Sequence, residues 1–185
     1  ALERLAVSAE LKEDAEGFHA FRVGRSAALL AEALGYGSVF CREMELAARL
    51  HDVGKLSVPD GLLLKPGELT KAEWTAVRAH TVQGEEIIAI ADRVDFRLAH
   101  QIAGGHHENW DGTGYPRALA GTRIPEAARI ARVVDVYDAL THKRVYKEAW
   151  THEDAINWIA SHSGTFFDPR IAQVFLAMAG NLFDL

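Results

Sequence analysis

The chain has 185 residues, of which 49% are hydrophobic and 25% are charged, and its net charge is −6. This composition excludes a disordered segment, and the negative charge argues against general electrostatic binding of duplex DNA. The single cysteine, Cys41, cannot form an internal disulfide and favours a reducing, cytoplasmic compartment. No apolar run approaches the ~20 residues of a transmembrane helix, so we expect no membrane span in this segment.

The predicted elements are helices along almost the whole chain, because apolar residues recur at three- and four-residue steps. The first helix is expected to end at Gly35 and the second at Gly54. Residues 1–13 are expected to form an N-terminal connecting helix ahead of one domain over 14–185. The amphipathic face of this connecting helix suits a homodimer contact or a link to a sensor or receiver domain, although a solvated linker helix explains it equally well.

Turn and capping residues set the bounds of the later elements. Thr70 with Glu73 predicts a capping box that opens a helix through Ala79, after a loop that begins at Ser57. Pro125 is expected to be the first residue of another helix. The remaining helices are expected over 82–91, 95–104, 125–141, 151–161 and 168–179, with a loop over 105–124. The fold class that follows is all-α.

Nine histidines are many for a chain of this length, and five of them fall near predicted helix ends or on helix faces: His19, His51, His80, His106 and His107. Each one alone is more often a surface or core residue than a ligand. Together with Asp52 and Asp135 they would supply nitrogen and oxygen donors for two metals, and a carboxylate such as Asp52 can bridge both. Such a shell suits Fe, Mn, Co, Ni or Zn better than Mg or Ca, and without thiolates it does not suit structural zinc.

Asp135 stands on a side of its helix that is otherwise apolar, with Ile130, Val133, Val134 and Val136. Its charge therefore needs a partner that offsets desolvation. Metal ligation is one solution and a buried salt bridge is the other. Asp138 follows three residues later on the same helix face. Beyond this helix stand Lys143, Arg144 and Lys147, which either interact with the helix C-terminus or form an anion clamp beside the metals. In such a clamp, the Arg144 guanidinium would donate two hydrogen bonds to one phosphate.

Several strings in order along the chain carry a resemblance to a known family. The most specific are HDVGK and HHENWDGTGYP, at 51–55 and 106–116. They are supported by KPG at 65–67, by the DAL that ends at Leu140, and by FDP at 167–169. Together these strings resemble the HD-GYP family, a branch of the HD-domain metal-dependent phosphohydrolases. The resemblance covers roughly residues 14–178.

The resemblance implies a single all-α HD-domain bundle with a GYP loop, which hydrolyses cyclic di-GMP to linear pGpG, with further hydrolysis to GMP left open. It implies a set of metal ligands in which Asp52 bridges: His19, His51, Asp52, His80, His106, His107 and Asp135. Lys55 would stand beside the scissile phosphate or the bridging water, which makes Asp52 and Lys55 the catalytic residues. The implied substrate-binding residues are Lys55, Tyr115, Asp138, Arg144 and Lys147.

Three positions depart from the family's pattern. The family often has a glutamate four residues before the first ligand histidine, where it serves a third metal, and this chain has Ala15. We therefore expect two divalent transition metals. Fe and Mn are the first candidates for their identity, and Ni, Co and Zn are alternatives. Val145 replaces a proline, which we expect to alter only a helix end. Phe166 replaces a histidine, and the sequence offers no functional account of this change.

Two metals roughly 3.5–4 Å apart would neutralise a phosphodiester and acidify a shared water, whose hydroxide would attack phosphorus in line. Water or Lys55 would protonate the leaving oxygen. Trp110, Tyr115 and Tyr146 suit stacking on guanine, although loop packing explains Trp110 better. Two alternatives stay open. One is the same enzyme class acting on pGpG or a mixed cyclic GMP-AMP. The other is a weakly active signalling module whose loop 112–116 binds a cyclase or adaptor.

Overall fold

The computed structural model of the protein describes residues 18–90, 96–142 and 149–179. Within these ranges the chain forms nine α-helices and two 3₁₀ turns, and its only β-pairing is an isolated bridge between Ser163 and Phe167. The α-helices are α1 His19–Ala33, α2 Ser38–Ala48, α3 Asp60–Leu63, α4 Lys71–Arg78, α5 His80–Ile90, α6 Arg97–Gly105, α7 Glu126–Thr141, α8 His152–Ser161 and α9 Pro169–Met178. The 3₁₀ turns are Val53–Ser57 and Gly121–Arg123. The predicted all-α fold is confirmed.

The hydrophobic core forms where α1, α2, α6 and α7 pack against one another. Val23, Ala27 and Leu30 of α1 recur at four- and three-residue steps, and all three are fully buried. This spacing puts them on one face of the helix, in the same buried cluster as Met44 of α2 and Ile130 of α7. Full burial of a large apolar side chain stabilises the folded state by roughly 1.5–3 kcal/mol. The packing of these apolar faces therefore holds together the helices that carry the polar site.

Helix α2 ends earlier than the sequence predicts. The periodicity favours a helix that runs to Val53 and is closed by Gly54, whereas the last helical residue is Ala48 and a turn leads into the 3₁₀ segment. On a continued helix, His51 and Asp52 would point about 100° apart. The turn instead lets both side chains reach the interior, where both are buried.

Gly54 brings the first 3₁₀ turn against the start of α5. A Cβ at this position would lie 1.9 Å from the carbonyl oxygen of His80 and 2.6 Å from the amide nitrogen of Gly84. Only glycine allows the two backbones to approach so closely. As a consequence Asp52, which directly precedes the turn, comes to lie beside His80.

Three predicted helix starts are confirmed by their capping contacts. The Glu73 amide donates to Thr70 Oγ1 at 3.3 Å and the Thr70 amide donates to the Glu73 carboxylate at 2.7 Å, which completes the capping box. The side chains of Thr151 and Asp168 accept backbone hydrogen bonds at the starts of α8 and α9. Pro125 differs from its prediction, since it is the N-cap of α7 rather than the first helical residue.

Some predictions fall on residues outside the described ranges. They concern the connecting helix over 1–13, the metal-count argument at Ala15, and the segment that contains Arg144, Val145, Tyr146 and Lys147. These stay predictions. Among the helices that the structure describes, none combines the length and the apolar character that a membrane crossing requires.

Candidate metal centre

Histidine and aspartate side chains gather between the helices in two groups. In each group the potential ligand atoms lie within 4.8 Å of one another. One group contains Asp52, His80, His106 and His107, and the other contains His19, His51 and Asp135. The fold therefore brings together all seven residues that the sequence suggested as ligands.

The members of both groups come mainly from helix ends. His19 and His80 begin α1 and α5, His106 directly follows α6, and Asp52 lies in the turn after α2. Only Asp135 lies in the middle of a helix, on the buried side of α7. Side chains from the ends of different helices can converge on one point, whereas neighbours on one helix diverge. The site therefore depends on how the helices pack rather than on any single one of them.

Asp52 stands between the two groups and directs one carboxylate oxygen to each. Its Oδ1 lies 3.3 Å from Nε2 of His80 and 3.5 Å from Nε2 of His106. Its Oδ2 lies 3.2 Å from Nε2 of His51 and 2.8 Å from Nζ of Lys55. Burial alone would raise the pKa of Asp52, but Lys55 and His51 hold it well below its usual range. A charged carboxylate with this geometry can bridge two cations.

Hydrogen bonds to backbone carbonyls orient three of the imidazoles. Nδ1 of His51 donates to Ala48 O at 2.8 Å, and Nδ1 of His80 donates to Val77 O at 2.7 Å. Nδ1 of His106 likewise donates to the carbonyl of Ile102 at 3.0 Å. A carbonyl oxygen only accepts, so in the neutral imidazoles the proton sits on Nδ1 and the lone pair on Nε2. Three Nε2 lone pairs therefore face the interior of the site.

The Nε2 atoms of His80 and His106 face each other across a short distance. Their Nε2 atoms lie 3.4 Å apart, and neither carries a proton that the other could accept when both imidazoles are neutral. Asp52 Oδ1 lies beside them, is buried, and makes no hydrogen bond. Two lone pairs and a carboxylate oxygen thus point at one another, which is unfavourable unless a cation lies among them.

His19 is held differently, between two carboxylates. Its Nδ1 donates to Asp138 Oδ2 at 2.6 Å and its Nε2 lies 3.4 Å from Asp135 Oδ1. Burial would lower the pKa of His19, but the hydrogen bonds to Asp135 and Asp138 outweigh it and raise the pKa to about 10. In the metal-free protein His19 is therefore an imidazolium whose charge is balanced by the two aspartates.

The donor set fits a divalent transition metal. Burial lowers the pKa of His106, and the pKa of His107 falls well below its usual range through burial, His106 and Arg132. Both imidazoles are therefore neutral near pH 7, which is the form that binds metals. Five imidazoles with two carboxylates match the mixed nitrogen and oxygen shells of Fe, Mn, Co, Ni and Zn.

A cavity of about 220 Å³ opens beside the cluster. It is lined by Asp52, Lys55, His107, Arg132, Asp135, Val136, Ala139 and Leu140. Sites that enclose a whole drug-sized ligand occupy roughly 300–1,000 Å³, so this cavity suits one part of a larger molecule. Two cationic side chains, Lys55 and Arg132, belong to its wall, which favours an anionic part.

In the GYP loop, residues 112–116, the Tyr115 ring packs on the His107 ring. The rings of Tyr115 and His107 are stacked with centroids 4.7 Å apart, and the Arg78 guanidinium lies 4.9 Å from the Tyr115 ring centroid. Gly114 allows this packing, because a Cβ there would lie 2.3 Å from the amide nitrogen of Asn109. Tyr115 therefore supports His107 from outside the cluster, and its expected role in substrate binding stays a prediction.

The residues directly before this loop are fixed to the connection between α8 and α9. The amides of Trp110 and Asp111 donate to the carbonyls of Phe166 and Thr165, at 3.2 and 2.9 Å. The Arg129 guanidinium lies 5.8 Å from the Trp110 ring centroid. These contacts agree with loop packing for Trp110.

Asp138 lies behind His19 rather than on the cavity wall. Its Oδ2 accepts from His19, while its Oδ1 accepts from Arg22 Nε at 2.6 Å and lies 3.1 Å from His142 Nδ1. A substrate would have to displace one of these partners to reach the carboxylate. The expected substrate contact stays a prediction, and the contacts that Asp138 makes position a candidate ligand.

Sequence reasoning missed two residues that shape the site. Arg22 lies one helical turn after His19 and binds the Asp138 carboxylate with Nε and Nη2. Arg132 lies one turn before Asp135 and contacts His107 and Asn109. An arginine within the apolar run around Asp135 is an unusual placement, and that is the signal that would have pointed to Arg132.

The fold and the site together define an all-helical domain with a central His/Asp cluster able to hold divalent metal. The HD-domain family model matches residues 5–171 of this chain. The chain belongs to the HD-domain family, in its HD-GYP branch.

Named relatives agree with this assignment. The cyclic di-GMP phosphodiesterase response regulator RpfG of Xanthomonas campestris pv. campestris is 41% identical over 175 residues, which are 95% of this chain and 46% of RpfG. A cyclic di-GMP phosphodiesterase of Thermotoga maritima is 38% identical over 184 residues, 100% of this chain and 50% of that protein. The 3′3′-cGAMP-specific phosphodiesterase 2 of Vibrio cholerae is 38% identical over 172 residues, 93% of this chain and 33% of that enzyme.

A solved structure supports the fold. The V. cholerae cyclic GMP-AMP phosphodiesterase V-cGAP3 superposes with a TM-score of 0.70 at 16% identity, over 97% of this chain and 49% of that chain. This chain thus spans half or less of the length of these four proteins.

Proposed function

We propose that the protein is a metal-dependent phosphodiesterase that hydrolyses the cyclic dinucleotide cyclic di-GMP to linear pGpG. The observation that carries this proposal is the position of Asp52, which turns one carboxylate oxygen to each of two groups of ligand atoms. The names of the relatives support the choice of substrate class.

The two ligand groups support a site for two divalent metals, with Fe or Mn as the first candidates and Ni, Co or Zn as alternatives. Metals held there would neutralise phosphate charge and make a bound water more acidic. His19, His51 and Asp135 would hold one metal, His80, His106 and His107 the other, and Asp52 both. The nitrogen-rich shell favours transition metals over Mg and Ca.

Among the residues that the structure describes, Lys55 is well placed to assist the substrate. Its ammonium group lies 2.8 Å from Asp52 Oδ2 and lines the cavity. From there it would hold a phosphate oxygen or donate a proton to the leaving sugar oxygen. Asp52 keeps this cation next to the metal site, which links the two catalytic residues.

We further propose that the domain works in the cytoplasm under the control of other domains or partners. Cys41 is a free thiol, which a reducing cytoplasm maintains. Since the chain spans half or less of its relatives' length, we infer that a sensor or receiver domain controls it in the full-length protein. A homodimer contact through residues 1–13 and docking of a cyclase on the GYP loop belong to the same proposal.

A second substrate has specific support, because relatives at 38% identity are named as 3′3′-cGAMP-specific phosphodiesterases. The test is anaerobic purification, metal quantification, and product analysis with cyclic di-GMP, 3′3′-cGAMP and pGpG side by side. We expect kcat/KM to be highest for cyclic di-GMP and about two metals per chain. A fully metal-loaded protein that cleaves none of the three would overturn the proposal and favour a binding module.

A further inference from the structure

Arg132 holds a guanidinium group in the cavity wall, close to the metal cluster. Its Nη2 donates to Asn109 Oδ1 at 2.9 Å, and its guanidinium carbon lies 5.8 Å from the Phe166 ring centroid. Its Nη1 lies 3.4 Å from Nδ1 of His107. Its Nε is buried and has no hydrogen-bond partner. The hydrogen bond to Asn109 therefore holds Nη2 in place, whereas Nη1 has only a long contact and Nε has no acceptor.

The contact with His107 cannot persist when His107 binds a metal. A neutral imidazole has one lone pair and one N–H. If the metal takes Nδ1, the lone pair that Arg132 faces is used. If the metal takes Nε2, the proton moves to Nδ1, where an N–H of Arg132 can no longer donate. In either case Nη1 loses His107 as an acceptor, while Nε is buried without a hydrogen-bond partner.

Buried donors on a charged group are costly to leave without acceptors. Burial lowers the pKa of Arg132 and Asp135 counteracts this, but a guanidinium keeps its charge in proteins. In the loaded protein the nearby carboxylates Asp52 and Asp135 would bind metals. An anionic oxygen that enters the cavity is then the acceptor best able to satisfy Arg132.

We propose that Arg132 is a phosphate-binding residue of this site, whose guanidinium donates hydrogen bonds to an anionic oxygen of the substrate that also contacts Lys55. This inference rests on the proposed function and deepens it. Its ligand class is a phosphate mono- or diester, such as one phosphate of a dinucleotide. Lys55 reaches the cavity from the first 3₁₀ turn and Arg132 reaches it from α7, so the two cations belong to separate elements.

The neighbours of Arg132 prepare its guanidinium for this role. Asn109 holds Nη2, and the Phe166 ring offers an uncharged aromatic face to the cation. This contact accounts for Phe166, where the family pattern has a histidine. A protonatable imidazole would compete for the same acceptors, whereas a phenyl ring holds the guanidinium without doing so.

The rival explanation is structural: Arg132 would only balance the charge of Asp135, one helical turn away. The two explanations differ in the effect of Arg132 on phosphate affinity at constant metal content. Orthophosphate is the probe, titrated calorimetrically into the metal-loaded protein. Because orthophosphate binding does not require turnover, the test stays valid if cyclic dinucleotides prove not to be substrates.

Arg132→Met is expected to weaken orthophosphate binding about ten- to hundredfold, with unchanged metals per chain. With cyclic di-GMP it should raise KM more than it lowers kcat. Arg132→Gln, which keeps a hydrogen bond to Asn109 available, serves if the Met variant does not fold. Arg25→Met is the matched control, since this exposed arginine lines a different cavity, and it should leave phosphate affinity unchanged.

Two results would overturn the proposal. The first is an orthophosphate Kd in a metal-loaded Arg132 variant equal to that of the unmodified protein. The second is that both Arg132 variants lose their metals together with phosphate affinity, which assigns Arg132 a structural role.

Discussion

Asp138 accepts a hydrogen bond from Nδ1 of His19 at 2.6 Å, although the two residues are 119 positions apart in the chain. Arg22 donates to the same carboxylate through Nε and Nη2. These contacts join α1 to α7 and fix the imidazole so that Nε2 faces Asp135. Asp138 thus orients a candidate ligand in the way that carboxylates commonly orient metal-binding histidines.

Asp138→Asn is expected to weaken metal binding about ten- to hundredfold, the usual cost of removing a carboxylate that orients a ligand. An amide has one acceptor oxygen and would present its NH₂ group to His19 or Arg22. Competition with a chromophoric chelator measures the metal affinity, and Asp154→Asn, at an exposed aspartate, is the control. Unchanged metal affinity with a raised KM would instead support direct substrate binding by Asp138.

Asp52→Asn is expected to abolish turnover and to lower the number of bound metals per chain. The substitution replaces one of the two oxygens that face the ligand groups with an NH₂ group, which cannot bind a cation. The assay is cleavage of cyclic di-GMP together with metal quantification and circular dichroism. Appreciable cleavage by a folded Asp52→Asn protein would contradict the bridging role.

Much of the fold and of the ligand set could be predicted, because both rest on local signals. Helical periodicity and the capping box at Thr70 depend on neighbours within a few residues. The ligand set was predicted through the family resemblance of short strings. The turn that ends α2 at Ala48 was not predicted, because the apolar pattern continues past it, whereas the close packing of Gly54 on α5 joins residues far apart in the chain.

The contacts around the ligands were less predictable, since they join residues far apart in the chain. The sequence places Asp138 on the same face as Asp135 but gives no sign that His19 and Arg22 occupy its carboxylate. Arg132 and Phe166 illustrate the same limit. Each is unusual in its own segment, and only the fold brings the guanidinium to the ring.

Metal binding by the metal-free protein at pH 8 is expected to release about one proton from His19. The pKa of His19 is raised from 6.5 to about 10 in the folded, metal-free protein, so the imidazole is protonated until a metal displaces the proton. The release should disappear as the pH rises through about 10, where His19 has already lost its proton. Calorimetry in buffers of different ionisation enthalpy counts the protons. An unchanged count in His19→Gln would refute the assignment.

Gly54→Ala is expected to destabilise the protein by about 3 kcal/mol and to reduce its metal content. The new Cβ would meet the His80 carbonyl oxygen at 1.9 Å, and backbone atoms cannot rotate away as side chains do. The 3₁₀ turn would then move away from α5 and separate Asp52 from His80. Asp52 could then no longer contact both ligand groups. Urea unfolding and metal analysis measure both effects. Gly61→Ala is the matched control, because a Cβ there meets nothing within 4 Å. Equal stability and metal content in the two variants would show that the close approach at Gly54 does not hold the site together.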